Sequence, residues 1–198
     1  MSKVLSEGNL RFDFIAYNTV ERFDDVTNHG MKAVDFVFET NDCLYFIEVK
    51  DFQNPNASLK RRKEDYDMLT KKETKEHAEF ILGMGEKIKD SLLRKYAEGY
   101  TFEKRVVYLL FINLDKLGAH ERGLLKVRIS GHVPTGLNNH KRFSTFTEIV
   151  FDLVNANQLK QYGIDCKPVR NTDRETAVEV AMQEADRRYA DTFRRLAQ

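Results

Sequence analysis

The sequence predicts a mixed α/β (α+β) fold, with a central mixed sheet flanked by helices. Three observations carry this reading. Residues 32–52, KAVDFVFETNDCLYFIEVKDF, hold two apolar, β-rich runs around the polar turn Glu39-Thr40-Asn41-Asp42, which is a hairpin signal. Residues 59–99 are rich in long polar side chains, sparse in β-branched ones and free of proline, a composition that favours helix. Residues 105–114, RVVYLLFINL, form a continuous apolar run, most simply a strand buried on both faces.

In chain order, Leu10, Phe12 and Phe14 alternate with Arg11 and Asp13, the pattern of a half-buried strand. Ala16 to Phe23 fits a short helix or a returning strand equally well. Asn28-His29-Gly30 breaks the chain ahead of the hairpin, and QNPNAS, with Pro55, makes a loop after it. In the helical stretch, Phe80, Ile81, Met84, Ile88, Leu92, Leu93 and Tyr96 recur at helical spacing and predict a buried stripe. The preceding LKRRKEDYDMLTKKETKEH is much more polar and reads as a separate exposed helix or a loop. Beyond residue 114, Leu125–Ile129 and Arg142–Phe146 are candidate short strands. Glu148–Tyr162 has helical periodicity through Ile149, Leu153 and Leu159, and Ile164–Val169 reads as a last strand. From Asn171 the chain predicts one more helix, capped by Thr172 or Asp173, with Val178, Met182, Ala185, Tyr189, Phe193 and Leu196 as its apolar stripe. Residues 1–170 are therefore expected as one domain, with 171–198 as an amphipathic helix for docking or for a homodimer.

A chain of 198 residues can bury a sizeable core. Its net charge of +1 argues against a uniformly basic nucleic-acid binder, but the charge is uneven. Residues 1–59 hold five Lys/Arg against ten Asp/Glu, a net −5, which leaves +6 for residues 60–198. Cys43 and Cys166 make neither a disulfide framework nor a metal-ligand spacing. The start lacks the apolar segment of a signal peptide and no stretch approaches a membrane span, so a cytoplasmic, membrane-free setting is expected.

The hairpin carries the chemistry. Folding it about Asn41 sets Asp35 opposite Ile47 or Glu48, while Glu48 and Lys50, two residues apart on a strand, project from one face. Two carboxylates on neighbouring strands suit a hard cation such as Mg2+, which prefers oxygen ligands and keeps several waters. Such an ion polarises a phosphoryl oxygen and acidifies an attacking water, and a lysine beside it stabilises the developing negative charge. A salt-bridge ladder on an exposed sheet face is the competing explanation, and the apolar runs around the three residues speak against it.

Asp35 and Glu48-Val49-Lys50 resemble the motif of the PD-(D/E)xK nuclease superfamily, the restriction-endonuclease-like fold. In that pattern an acid precedes Glu/Asp-x-Lys on the next strand. The resemblance covers roughly residues 10–115, and Val34 stands where the motif's proline would be. It implies a metal-dependent nuclease, with DNA favoured over RNA. Asp35, Glu48 and the Val49 carbonyl would hold Mg2+ (or Mn2+), and Lys50 would act on the phosphate. The superfamily also has an acid on a helix before the first core strand. Few residues precede Leu10, so Glu21 is the candidate, with Asp24 and Asp13 as rivals.

The motif string alone is weak. Glu73-Thr74-Lys75 matches it inside a polar helical stretch, and Asp152 with Asp165-Cys166-Lys167 repeats the spacing across a helix-like pattern. Hairpin context selects the first match. Lys60, Arg61, Arg62 and Lys63 follow the site as candidate phosphate contacts, or as a solvated helix face. Lys87 and Asp90 read as an exposed ion pair or as residues facing the site. A catalytically inactive binding module of the same fold is the alternative function.

Overall fold

The structure is a computed structural model, and it describes residues 3–15, 17, 19–24, 30–53, 57–72, 74–143 and 147–169. The expected helix after Asn171, His29 and Glu73 lie outside the described residues.

Strands β3 (Glu21–Arg22), β4 (Phe36–Glu39), β5 (Cys43–Asp51), β6 (Arg105–Asn113) and β7 (Ile149–Val154) form a mixed sheet in that order. The β3-β4-β5 pairs are antiparallel, whereas β5-β6 and β6-β7 are parallel. The hairpin between β4 and β5 closes where Thr40 Oγ1 accepts the Cys43 amide at 3.0 Å and the Thr40 amide donates to the Cys43 carbonyl at 2.8 Å. Strands β1 (Lys3–Glu7), β2 (Leu10–Phe14) and β8 (Ile164–Pro168) form a separate antiparallel sheet, with β2 central.

Side-chain alternation sends each central strand's residues into two cores. Leu44 and Phe46 of β5 pack on one side with Ile81, Met84 and Ile88 of α2 (Lys75–Ala97) and with Leu125 and Ile129 of α3 (Ala119–Ser130). Leu69 of α1 (Leu59–Thr70) joins them. Ile47 and Val49 face the other side, where Phe12 and Phe14 of β2 meet Phe36, Phe38 and Phe111, together with Leu159 of α4 (Ala156–Leu159). Phe12 lies edge-on to Phe111 with ring centroids 5.6 Å apart, a favourable aromatic geometry. Strand β6 supplies Tyr108 and Leu110 to the first core and Leu109 and Phe111 to the second, which is why its sequence is apolar throughout. Helices α1, α2 and α3 thus line one face of the mixed sheet, and the second sheet with short α4 lines the other.

Several expectations need correction. Leu125–Ile129 is part of helix α3, because Leu125 and Ile129 stand one helical turn apart and are both fully buried. Glu148–Tyr162 divides, and its first half is strand: in β7, Ile149, Phe151 and Leu153 are buried while Val150 and Asp152 are less so, a period of two. Only α4 and a following 3-10 turn are helical there. Lys141–Phe143 is a 3-10 turn, not a strand, and 144–146 lie outside the described residues. Of the undecided 16–23, Glu21–Arg22 is strand. The polar stretch after Ser58 is a separate helix, α1, capped by the Ser58 hydroxyl on the Arg61 amide, and Thr74 caps α2 in the same way.

Candidate functional site

The β4–β5 register pairs Phe36 with Ile47, and one step further it sets Asp35 against Glu48. The Asp35 amide donates to the Ile47 carbonyl at 3.0 Å. Its carboxylate turns along the hairpin, where Oδ2 accepts the Val49 amide at 2.5 Å. Glu48 shares the face of Leu44 and Phe46, so it points under the helices and is 0% exposed. Asp35, at 5%, is buried beside it. Two acids beneath a helical layer need compensating cations.

Two lysines supply them. Lys50 Nζ lies 2.5 Å from Glu48 Oε1. Lys87, on α2, sets its Nζ 2.8 Å from Glu48 Oε2 and 3.9 Å from Asp35 Oδ1. Lys87 therefore faces the site, and Asp90 instead accepts the Lys32 amide at 2.8 Å. Both Glu48 oxygens are fully buried, and among the described residues the Lys50 and Lys87 ammonium groups are the polar groups that meet them.

The titration behaviour follows from this geometry. Burial, then the Glu48 carboxylate, pushes the Asp35 acid up to about 7; Lys87, the Val49 amide and Lys50 pull the other way without cancelling the rise. Burial works to lower the Lys87 ammonium, but Glu48 and Asp35 outweigh it and leave its pKa above the ordinary value. Tyr108 lies beneath the pair, fully buried, with its hydroxyl donating to the Met84 carbonyl at 3.2 Å. Burial, Glu48 and Asp35 together push that phenol far above its usual range.

The additional acids come from the N-terminal strands. Glu7, Asp24 and Asp35 each bring one oxygen into a group within 4.8 Å of one another. Arg22 already serves this group: its Nη1 is 2.7 Å from Glu7 Oε2 and 3.5 Å from Asp24 Oδ1, and its Nη2 donates to the Ser6 carbonyl. Glu21 is not brought to the site. Its side chain is 63% exposed and pairs with Lys95 at 3.7 Å. Asp13, on β2 in the other sheet, is also outside the group. Glu7 carries no sequence mark of its role: it ends the short strand Lys3–Glu7, whose alternation is too brief to indicate a strand by itself.

The basic run divides. Lys60 pairs with Glu64 at 3.8 Å and Arg61 with Asp65 at 3.0 Å, both one turn along α1. Arg62 and Lys63 line a cavity of about 850 Å³ at the carboxyl ends of β5 and β6, next to Phe52, Tyr66 and Lys116. The decoy at Asp152 is dispersed: Asp152 sits on β7, bonded by Lys126 and Tyr162, while Asp165 and Lys167 sit on β8 in the second sheet.

Taken together, the fold and site define a mixed α/β protein with a buried pair of carboxylates on a hairpin, bracketed by two lysines. Comparison with known proteins found no matching family model, no matching curated protein and no matching solved structure. Among the described residues no helix is long and apolar enough to cross a membrane.

Proposed function

We propose that the protein is a metal-dependent nuclease of the PD-(D/E)xK, restriction-endonuclease-like type, hydrolysing phosphodiester bonds in nucleic acid, DNA in preference to RNA. The observation that carries this reading is the buried acid pair: Glu48, fully buried, stands beside buried Asp35 with Lys50 on the same hairpin. Carboxylates are costly to bury unless a cation or a directed donor completes them. An all-oxygen donor set suits Mg2+ or Mn2+. Asp35 and Glu48, with the Val49 carbonyl, would hold the ion, which would supply Lewis-acid polarisation of a phosphoryl oxygen and an acidified water.

The chain's own residues do the rest. The Lys50 ammonium is half-exposed at the edge of the pair, where it can neutralise charge that develops on a phosphate. Lys87 approaches from α2 and fixes Glu48 and Asp35 in position without leaving its helix. The Val49 amide orients the Asp35 carboxylate. Cytoplasmic location and a homodimer through residues 171–198 belong to the same reading.

The test is cleavage of single-stranded DNA, duplex DNA and RNA in Mg2+ or Mn2+. Wild-type protein is expected to cut at least one, with activity lost in Asp35→Ala and Lys50→Ala that keep a native circular dichroism spectrum. Wild-type protein that cuts none of them overturns the proposal. One observation favours the second reading, a binding module without turnover: every acid of the site already has a cation in reach, from Lys50, Lys87 or Arg22. Nucleic-acid affinity without divalent-ion binding would support it.

A further inference from the structure

Leu59, Arg62, Lys63 and Tyr66 recur at the spacing of one helix face, and that face of α1 turns toward the cavity of about 850 Å³. A helix ordinarily buries such a stripe. Here the buried residues of α1 are Asp65 and Leu69, and Leu59 stays 85% exposed at the cavity mouth. The opposite wall is Phe52 with Leu114, Asp115 and Lys116. The lining thus combines two aromatic rings and two leucines with three cations against one carboxylate. Neither Lys63 nor Lys116 has an ion-pair partner among the described residues.

The cavity lies at the carboxyl end of β5, just beyond Lys50 in the chain. Phe52 extends the Glu48–Lys50 alternation on the helix-covered face, and its amide donates to the Asn113 carbonyl at 3.1 Å. At about 3.3 Å of rise per residue it stands roughly 7 Å along the chain from Lys50. A polymer with a phosphate at Lys50 would have this opening within reach of its neighbouring units. Its volume falls within the range of about 300–1,000 Å³ typical of ligand pockets, ample for a nucleotide unit.

We propose that this cavity receives an unstacked base of a single-stranded nucleic acid, with Tyr66 and Phe52 offering ring faces and Arg62, Lys63 and Lys116 meeting the flanking phosphates. The proposal deepens the nuclease reading, and rests on it, by naming the form of substrate that passes the hairpin. A purely apolar ligand leaves Lys63 and Lys116 without a role, and a bare polyanion leaves the Tyr66 ring and exposed Leu59 without one. Duplex bases are already stacked and paired, so they present no free ring face unless one is flipped out at additional cost. A single strand presents one with every nucleotide.

The experiment is fluorescence anisotropy of a labelled 12-nucleotide DNA strand and of the matching duplex, with wild-type protein, Tyr66→Ala and Tyr66→Phe, in EDTA so that nothing is cut. The single strand is expected to bind more tightly than the duplex. Losing one base–aromatic stack in Tyr66→Ala should weaken it about 5- to 150-fold. Duplex binding should change less than about 2-fold, and Tyr66→Phe should keep wild-type affinity, which separates loss of the ring from loss of the fold. Equal affinity for strand and duplex, an unchanged Tyr66→Ala, or a parallel loss on both ligands overturns the proposal. Selective binding here with no cleavage in the Mg2+ and Mn2+ assay sinks the nuclease reading and leaves this one standing; duplex cleavage in that assay without single-strand preference here does the reverse.

Discussion

Replacing Asp35 by asparagine removes a charge that the fold holds at a cost, and the size of that cost can be worked out. Burial and the neighbouring Glu48 carboxylate raise the Asp35 acid from 3.8 to about 7. Three units at about 1.4 kcal/mol each amount to ~4 kcal/mol. Because the value is raised on folding, the native state prefers the protonated acid. The contribution is fully present below about pH 4 and is lost as pH rises through about 7. Roughly 2–3 kcal/mol of the loss falls between pH 5 and 8. Asparagine still offers an oxygen to the Val49 amide but has no proton to lose in this range. Urea denaturation of both proteins in EDTA, at half-unit steps from pH 5 to 8, should show Asp35→Asn gaining on wild type by about 2–3 kcal/mol toward pH 8. Parallel stability curves refute the reasoning. Adding Mg2+ at pH 8 should then stabilise wild type by about 2.7 kcal/mol at 100 times its dissociation constant, and the variant by much less.

Lys87→Met leaves Glu48, at 0% exposure, with one of its two cations gone, and should lower stability at neutral pH by about 3–5 kcal/mol. An unchanged thermal midpoint would mean that Lys87 does not compensate the pair. Two glycines of α2 give a matched contrast. A Cβ on Gly85 would stand 2.6 Å from His132 Cβ and 2.7 Å from the His132 carbonyl, so Gly85→Ala should cost about 1–3 kcal/mol in chemical denaturation. Gly83 has nothing within 4 Å of that position, and Gly83→Ala should gain up to about 1 kcal/mol from helix propensity. If both alanines stabilise, the close approach of α2 to residue 132 is wrong.

How far the sequence discloses this fold depends on whether one period dominates each segment. The β4–β5 hairpin, β6 and β2 were legible because their apolar runs or strict alternations admit one reading, and the observed spans match closely. Strand β7 also fits helical spacing through Ile149, Leu153 and Leu159; parallel pairing with β6 decides in favour of strand, and a partner 43 residues away is invisible locally. Helix α3 failed the opposite way, since its apolar residues cluster over Leu124–Ile129 like a short strand, and only burial of Leu125 and Ile129 on one face reveals the period. The sheet β1-β2-β8 joins the two ends of the described chain, a pairing no local pattern encodes.

The hairpin half of the site was legible for a physical reason: Asp35, Glu48 and Lys50 are charged residues where apolar ones would bury more cheaply, so they stand out against their own strands. The other half was legible only as an alternative. The sequence leaves Lys87 open between an exposed ion pair with Asp90 and the site, and it approaches both acids because α2 crosses the face to which Glu48 points, while Asp24, a rival for the third acid, stands in one group with Asp35. Glu21, favoured for its place in the chain, faces outward, while Glu7 reaches the acids through the β1–β2 hairpin. The difference lies in the compensation each acid requires. Exposed Glu21 needs none beyond solvent and Lys95. The acids of the site need cations: Lys50 comes from the hairpin itself, Lys87 from α2, and Arg22 of β3 serves Glu7 and Asp24. That demand ties β3 and α2 to one hairpin, so the charges of the site also help fix how the N-terminal strands and α2 sit on the sheet.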